Sequence, residues 1–231
     1  MIKMMAALIF ILSSQAFANP YNELLKKADA IRNPSESYEM KIKVENNESI
    51  SVFQVFLKGQ EKTLIVTKEP ARDRGRNMLM LDRDFNAYVP NLKRSMRLSL
   101  AQKLSGQVAN GDISRTRWYG DYEAKKEAEK GDEIQLFLEG NKKNLTYAAI
   151  RLWLKKSNSR PVRAEYLALN GKTVLKKAYF EDYKKIAGAE RPSTIRIEDT
   201  GKQTSFIRIL EMNPKNLSDS FFTVRNMESL K

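Results

Sequence analysis

The sequence predicts a mainly β domain of the α+β class: a large antiparallel sheet with one wet face, accompanied by a few helices. Two observations predict it. From Tyr38 onward apolar and polar residues alternate with a period of two over most of the chain, as in strands that bury one face and expose the other. The runs are separated by short turn signals such as Asn170-Gly171 and Asp199-Thr200-Gly201-Lys202, without the strand–helix–strand rhythm of parallel crossovers.

The chain opens MIKMMAALIFILSSQAFANP, where Lys3 gives a positive start, Met4 to Leu12 an apolar run and Ala16-Phe17-Ala18 an A-x-A cleavage signature. Residues 1–18 therefore read as a cleaved secretory signal peptide, because so short an apolar run is about half of the roughly 20 residues needed to span a bilayer. Residues 19–231 are expected to form a single exported, soluble domain, placed in the periplasm. Asn19-Pro20 supplies an N-cap followed by proline in the first turn, and Tyr21, Leu24, Leu25, Ala28 and Ile31 repeat at helical spacing, so a helix should run to about Asn33-Pro34.

Strands follow in order. Tyr38, Met40, Ile42 and Val44 alternate with charged residues; Ile50 to Leu57 and Thr63 to Lys68 read as a hairpin, as do Asn77 to Leu81 and Asn86 to Val89. Further strands are expected around Ile134-Leu136-Leu138, Ile150-Leu152-Leu154, Val162 to Tyr166, Val174 to Tyr183, Thr194 to Glu198 (with Ile195 and Ile197) and Ser205 to Glu211. The middle of the chain breaks the pattern. Leu100, Leu104 and Val108 fall at i, i+4 and i+8, one stripe of a short helix capped by Ser99. Asn110-Gly111 then reads as a turn, with Asp112 capping a second short helix that carries Ile113, Thr116 and Trp118 on one side. Two such helices need an apolar surface to cover, and the sheet supplies it.

Composition narrows the function. The formal net charge is +13, with no histidine and no cysteine. The commonest general base, the thiol nucleophile and the usual zinc, copper and iron ligands are thus missing, and no cofactor or metal is expected. The acidic pairs Asp82/Asp84 and Glu181/Asp182 read as solvated turn and strand-end residues in preference to a glycosidase pair. Asp112 and Asp121 read as caps or turns before catalysis or calcium. The basic excess favours anionic partners, such as an anionic membrane surface, and no nucleic-acid-binding motif is present. Arg72, Arg74, Arg76, Arg83, Lys93, Arg94 and Arg97 either steer toward such a surface or protect strand edges.

Four segments carry a family resemblance: Gly75-Arg76-Asn77-Met78-Leu79-Met80; Tyr88-Val89-Pro90-Asn91-Leu92-Lys93-Arg94-Ser95-Met96-Arg97-Leu98; Val108 to Thr116 with Asp121-Tyr122; and Arg151-Leu152-Trp153 followed by Arg163-Ala164-Glu165-Tyr166. The sequence resembles the outer-membrane lipoprotein-sorting proteins, the LolA-like superfamily that includes LolB and RseB, in one of its less characterised branches. The resemblance implies an antiparallel half-barrel of about eleven strands, a helical lid, and an apolar cavity for acyl chains between them. The cavity is expected to be lined by Met78, Met80, Val89, Met96, Leu98, Ile134, Leu136, Leu138, Ile150, Leu152, Leu154, Ile195 and Ile197, with the methionines suited to variable acyl chains. The lid would comprise Leu100, Leu104, Val108, Gly111, Asp112, Ile113 and Trp118. An arginine beside the cavity holds the lid shut in the best-known carriers; Arg94, Arg97 and Arg115 all stand as counterparts or as contacts for an anionic headgroup. The implied activity is non-catalytic: a carrier of lipid or lipoprotein acyl chains that meets an inner-membrane transporter or outer-membrane acceptor, or alternatively an RseB-like sensor or accessory module of a cell-envelope or export-transporter complex.

Overall fold

The computed structural model describes residues 19–230 apart from 35–36, 60, 115–116, 144 and 202. The expected signal peptide and Arg115 lie outside the described residues. Thirteen strands form one open antiparallel sheet in the order β6-β5-β4-β3-β2-β1-β15-β14-β13-β12-β11-β10-β9. The strands are β1 (Tyr38–Glu45), β2 (Ile50–Lys58), β3 (Lys62–Glu69), β4 (Met78–Leu81), β5 (Asp84–Val89), β6 (Arg94–Arg97), β9 (Tyr122–Lys130), β10 (Glu133–Gly140), β11 (Ala149–Lys155), β12 (Pro161–Leu167), β13 (Val174–Ile186), β14 (Ala189–Asp199) and β15 (Thr204–Pro214). Nearly every neighbour in space is a neighbour in sequence; only β1 with β15 joins distant segments.

The first helix, α1 (Pro20–Arg32), forms as its caps dictate. The Asn19 side chain accepts from the Tyr21 N–H, and Leu25 and Ala28 are buried against the sheet. Asn19 and Asn22 also seal one end of the sheet: Asn19 Nδ2 donates to the Ala124 carbonyl of β9, and the Ala124 N–H donates to Asn22 Oδ1, each at 2.9 Å. At the C-terminal end of α1, the buried Arg191 of β14 donates to the carbonyls of Ala30 and Ile31.

The segment between β6 and β9 differs from the expectation. Ser99 to Val108 does not form a helix. It forms a small hairpin of β7 (Lys103–Ser105) and β8 (Val108–Ala109), and the helix that follows, α2 (Asn110–Ile113), is a single turn. The reason is local: Ser105-Gly106 is a turn dipeptide, Gly106 adopts φ +55°, and this breaker outweighs a periodicity of only three apolar residues. The stripe still faces inward, with Val108 fully buried and Leu100 and Leu104 against the core. The hairpin tip is pinned across the sheet by the Gln107 N–H donating to Ser205 Oγ and by contact between the Ser51 and Ser105 hydroxyls.

Concave-face residues of the strands, α1, α2 and the hairpin form one large core, while a smaller cluster of Leu64, Leu79, Leu217, Phe222 and Met227 lies on the convex face. That face is covered by the C-terminal helix α3 (Val224–Ser229), held by buried Asn77, whose Nδ2 donates to the carbonyls of Met227 and Leu230. Elsewhere the convex face carries a cross-strand row, Trp153–Arg163–Tyr179–Arg196–Phe206–Glu45, aligned by register over six strands. Arg163 stacks 4.1 Å over Trp153, and Arg196 stacks 3.9 Å over Tyr179. Such cation–π pairs are worth ~0.5–1 kcal/mol each at partly exposed sites.

Candidate functional site

Among the described residues, two apolar hollows lie on the concave side on either hand of α2. The inner one has a volume of about 50 Å³ and lies among Tyr38, Met40, Ile42, Leu57, Ile195, Ile207, Ile209 and Met212, with Arg32 and Arg191 at one end and Asp112 and Ile113 of α2 as its wall. The outer one, about 310 Å³, is an open apolar groove at the β4–β6 end of the sheet. Its lining includes Met78, Ala87, Val89, Leu92, Met96, Leu98 and Leu104, with Arg76, Gln102 and Asn110 as polar members. A void that admits benzene is ~150 Å³, so the inner hollow holds little more than a water, whereas the groove reaches the ~300 Å³ floor of ordinary ligand sites.

The wall between them is fixed by one carboxylate. Asp112 sits in the third position of α2 rather than at its N-cap, and its Oδ2 accepts from the Ala109 N–H at 2.7 Å. Its Oδ1 accepts from the Tyr147 hydroxyl at 2.7 Å, and the Lys176 ammonium of β13 pairs with Oδ2. Only 5% of the Asp112 side chain and 8% of the Lys176 side chain are exposed. Lys176 also lies 5.0 Å from the centre of the Tyr147 ring and 5.7 Å from that of Tyr166. Burial drives the Tyr147 hydroxyl well above its usual range, and the nearby Asp112 carboxylate adds to the effect. The hydroxyl therefore stays protonated, as a donor to Asp112 must.

Gly111 was expected to permit a turn through its backbone freedom; it lies inside α2 and serves by its size. A Cβ there would collide with the Thr146 side chain. Its N–H donates to the Leu100 carbonyl, while the Asn110 N–H and side chain donate to Gln102 and Ser99, which ties α2 to the hairpin. Trp118 was expected on the second helix, but that helix ends at Ile113. Trp118 is fully buried in the connection leading to β9, edge-on to Phe180 at 5.7 Å and beneath the Arg32 guanidinium at 4.1 Å. Asp29 of α1 staples this connection by accepting from the N–H groups of Trp118 and Tyr119. On its other side, buried Asp121 accepts from Arg83 of the β4–β5 turn at 2.6 Å and from Arg117 at 3.0 Å, so the connection bridges the two ends of the open sheet.

The expected cavity residues separate into three groups. Met78, Val89, Met96 and Leu98 line the groove, joined by Leu104, and Ile195 lines the inner hollow. Met80, Ile134, Leu136, Leu138, Ile150, Leu152, Leu154 and Ile197 are buried as packed core, and none of them lines either hollow. Arg94 and Arg97 are exposed on β6, and Arg97 pairs with Asp84 rather than with α2, whereas Lys176 pairs with Asp112 of α2. Lys176, Tyr147, Arg32 and Arg191 were not singled out in the sequence. For Lys176 the one available signal is its register: it is a charged residue at an inward position between Ala178 and Val174.

A family model described as that of an uncharacterized protein matches residues 59–229. The crystal structure of the LolA superfamily protein NE2245 from Nitrosomonas europaea is 34% identical and superposes with a TM-score of 0.81 over 89% of this chain and 98% of that one. The chain belongs to the LolA superfamily. Two further solved structures share the fold at lower identity. A Vibrio parahaemolyticus domain described as an outer membrane lipoprotein-sorting protein is 18% identical with a TM-score of 0.73, covering 90% of this chain and 98% of that one. A DUF1329 family protein from Desulfovibrio piger is 20% identical with a TM-score of 0.75 over the same shares. No curated protein matches the sequence significantly. The LolA-like sheet here is open, with thirteen strands against the roughly eleven expected. No helix among the described residues is long and apolar enough to cross a membrane.

Proposed function

We propose that this LolA-superfamily protein is an exported, non-catalytic carrier that shelters acyl chains of a lipid or lipoprotein between sheet and covering segments in the periplasm. The observation that carries the reading is the pair of hollows divided by one helical turn. With α2 in place, the interior is closed and the groove is a shallow apolar mouth. Displacing α2 joins the groove to the inner hollow and gives a continuous apolar cleft along the concave face. Each methylene removed from water contributes ~0.8 kcal/mol, so about ten sheltered methylenes supply ~8 kcal/mol gross, and the costs of association and ordering reduce this to a weak, reversible net affinity. Among the described residues no cluster of three or more acidic side chains is arranged to hold a metal. Asp82, Asp84 and Glu181 are engaged in ion pairs with Arg117, Arg97 and Arg196, as solvated structural residues are.

The test is titration of a fluorescent hexadecanoyl probe into the mature protein and into Met96→Asp. Met96 is 38% exposed in the groove, so the variant folds while placing a carboxylate where the chain would enter. Loss of binding in the variant supports the reading. Unchanged binding places the ligand elsewhere, and no binding to either protein refutes it.

A further inference from the structure

The two edges of the sheet are treated differently. At β9 the backbone of Ala124 is engaged by Asn19 and Asn22, and the strand is carpeted with charge of both signs. At β6 no strand or side chain among the described residues covers the outer side. The register tells which groups are left there. Leu98 N–H donates to the Phe85 carbonyl of β5, and in an antiparallel ladder every second residue bonds the same neighbour. Arg94 and Met96 thus bond β5, while Ser95 and Arg97 turn their N–H and C=O groups outward.

The same alternation places Met96 on the concave face, where it lines the apolar groove, and Ser95 on the convex face, where its hydroxyl donates to Glu228 of α3. Arg94 shares the face of Met96. Residues 72–97, which form this corner, contain seven cations (Arg72, Arg74, Arg76, Arg83, Lys93, Arg94, Arg97) and three carboxylates (Asp73, Asp82, Asp84). Each of those carboxylates is paired with an arginine. An open strand edge, an apolar groove under alternate residues and a surplus of positive charge form the combination used for strand addition, where main-chain hydrogen bonds supply affinity and a pocket for alternate side chains supplies selectivity.

We propose that β6 is a docking edge for an extended, acidic segment of a partner polypeptide, which pairs with Ser95 and Arg97, rests one apolar side chain on Met96 and Leu92 at the groove mouth, and places its carboxylates by Arg94 and Arg76. This does not depend on whether the groove also receives an acyl chain.

The probe is a fluorescently labelled, end-blocked hexapeptide, Asp-Thr-Val-Thr-Asp-Thr, which in extended form carries its aspartates and its valine on one face, titrated at low salt, with the same peptide N-methylated on alternate amides and an analogue with lysine in place of aspartate as controls. Expected are saturable binding of the acidic peptide, slowed hydrogen exchange at the amides of Ser95 and Arg97 but not Met96, roughly tenfold weaker binding of the N-methylated form, and none of the basic one. Ser95→Pro removes an outward N–H at an edge position that tolerates proline and should weaken binding about five- to tenfold; the exchange map on the unmodified protein stands whether or not that variant folds. The proposal is overturned if the N-methylated peptide binds as well as its parent, if protection appears away from Ser95 and Arg97, or if no saturable binding occurs, as expected of a short charged edge that only repels other strands.

Discussion

Cutting the Asp112–Lys176 pair should loosen the wall between groove and hollow by an amount that depends on which partner is removed. Both side chains are nearly buried, and breaking such a pair costs ~3–5 kcal/mol because the survivor is left uncompensated. The survivors are unequal. Lys176→Met leaves a carboxylate that still accepts from the Ala109 N–H and the Tyr147 hydroxyl, so the cost should fall at the low end, ~3 kcal/mol. Asp112→Ala leaves a nearly buried ammonium facing the Tyr147 and Tyr166 rings, at 5.0 and 5.7 Å, with no carboxylate partner among the described residues, and should approach ~5 kcal/mol. The double variant Asp112→Ala/Lys176→Met removes both charges, closes the cycle with the two single variants, and should recover at least ~2 kcal/mol over Asp112→Ala. Urea unfolding followed by the fluorescence of Trp118 and Trp153 measures all three. Stopped-flow release of the acyl probe should accelerate in both single variants. A coupling energy under ~0.5 kcal/mol, the scatter expected of independent sites, would refute the view that this pair fixes α2.

Two further predictions concern other parts of the molecule. Asn77→Ala removes both donors to the last carbonyls of α3 and the acceptor of the Thr67 N–H; it should cost ~2–3 kcal/mol and expose the C-terminal segment to limited proteolysis, while acyl-probe binding on the opposite face stays the same. Alkaline stability follows from the buried tyrosines: burial raises the hydroxyls of Tyr122, Tyr147, Tyr166 and Tyr183 above their usual 10.0. The folded chain therefore keeps protons that the unfolded chain releases. Stability should be full below pH about 10 and fall as pH rises above it, by a steeper slope than in a Tyr183→Phe variant, as read by urea midpoints between pH 9 and 11.

Most strands were legible because their signal is local. Tyr38 to Glu45 alternates strictly, and the structure places β1 over the same residues; α1 starts where Asn19-Pro20 says it should. The segments that were missed lack such a signal. Tyr122–Lys130 reads YEAKKEAEK, which favours helix by composition, and becomes a strand because it pairs with β10 while Asn19 and Asn22 occupy its free edge. The Ser99–Val108 hairpin exposes the weakness of three apolar residues as evidence for a helix when a Ser-Gly turn sits among them. For the site, Met78, Val89, Met96 and Leu98 were four of the thirteen residues the resemblance assigned to a cavity, and they do line the groove, whereas strand periodicity could not separate them from the eight that pack as core. Lys176 and Asp112 were not readable as a pair, because 64 residues separate them and only the completed sheet brings β13 opposite α2. Trp118 was not readable in its role for the same reason: it packs edge-on to Phe180 and beneath Arg32 of α1, while the adjacent Arg117 pairs with Asp121.

The central claim is that the concave face receives an acyl chain, and native mass spectrometry of the protein purified from the periplasm of its own cells tests it most directly. The account predicts a population heavier than the mature chain by the mass of one lipid or acylated peptide, released on mild activation in the gas phase and diminished in Met96→Asp. A single peak at the mass of residues 19–231, unchanged after incubation with membrane lipid extract, would contradict it.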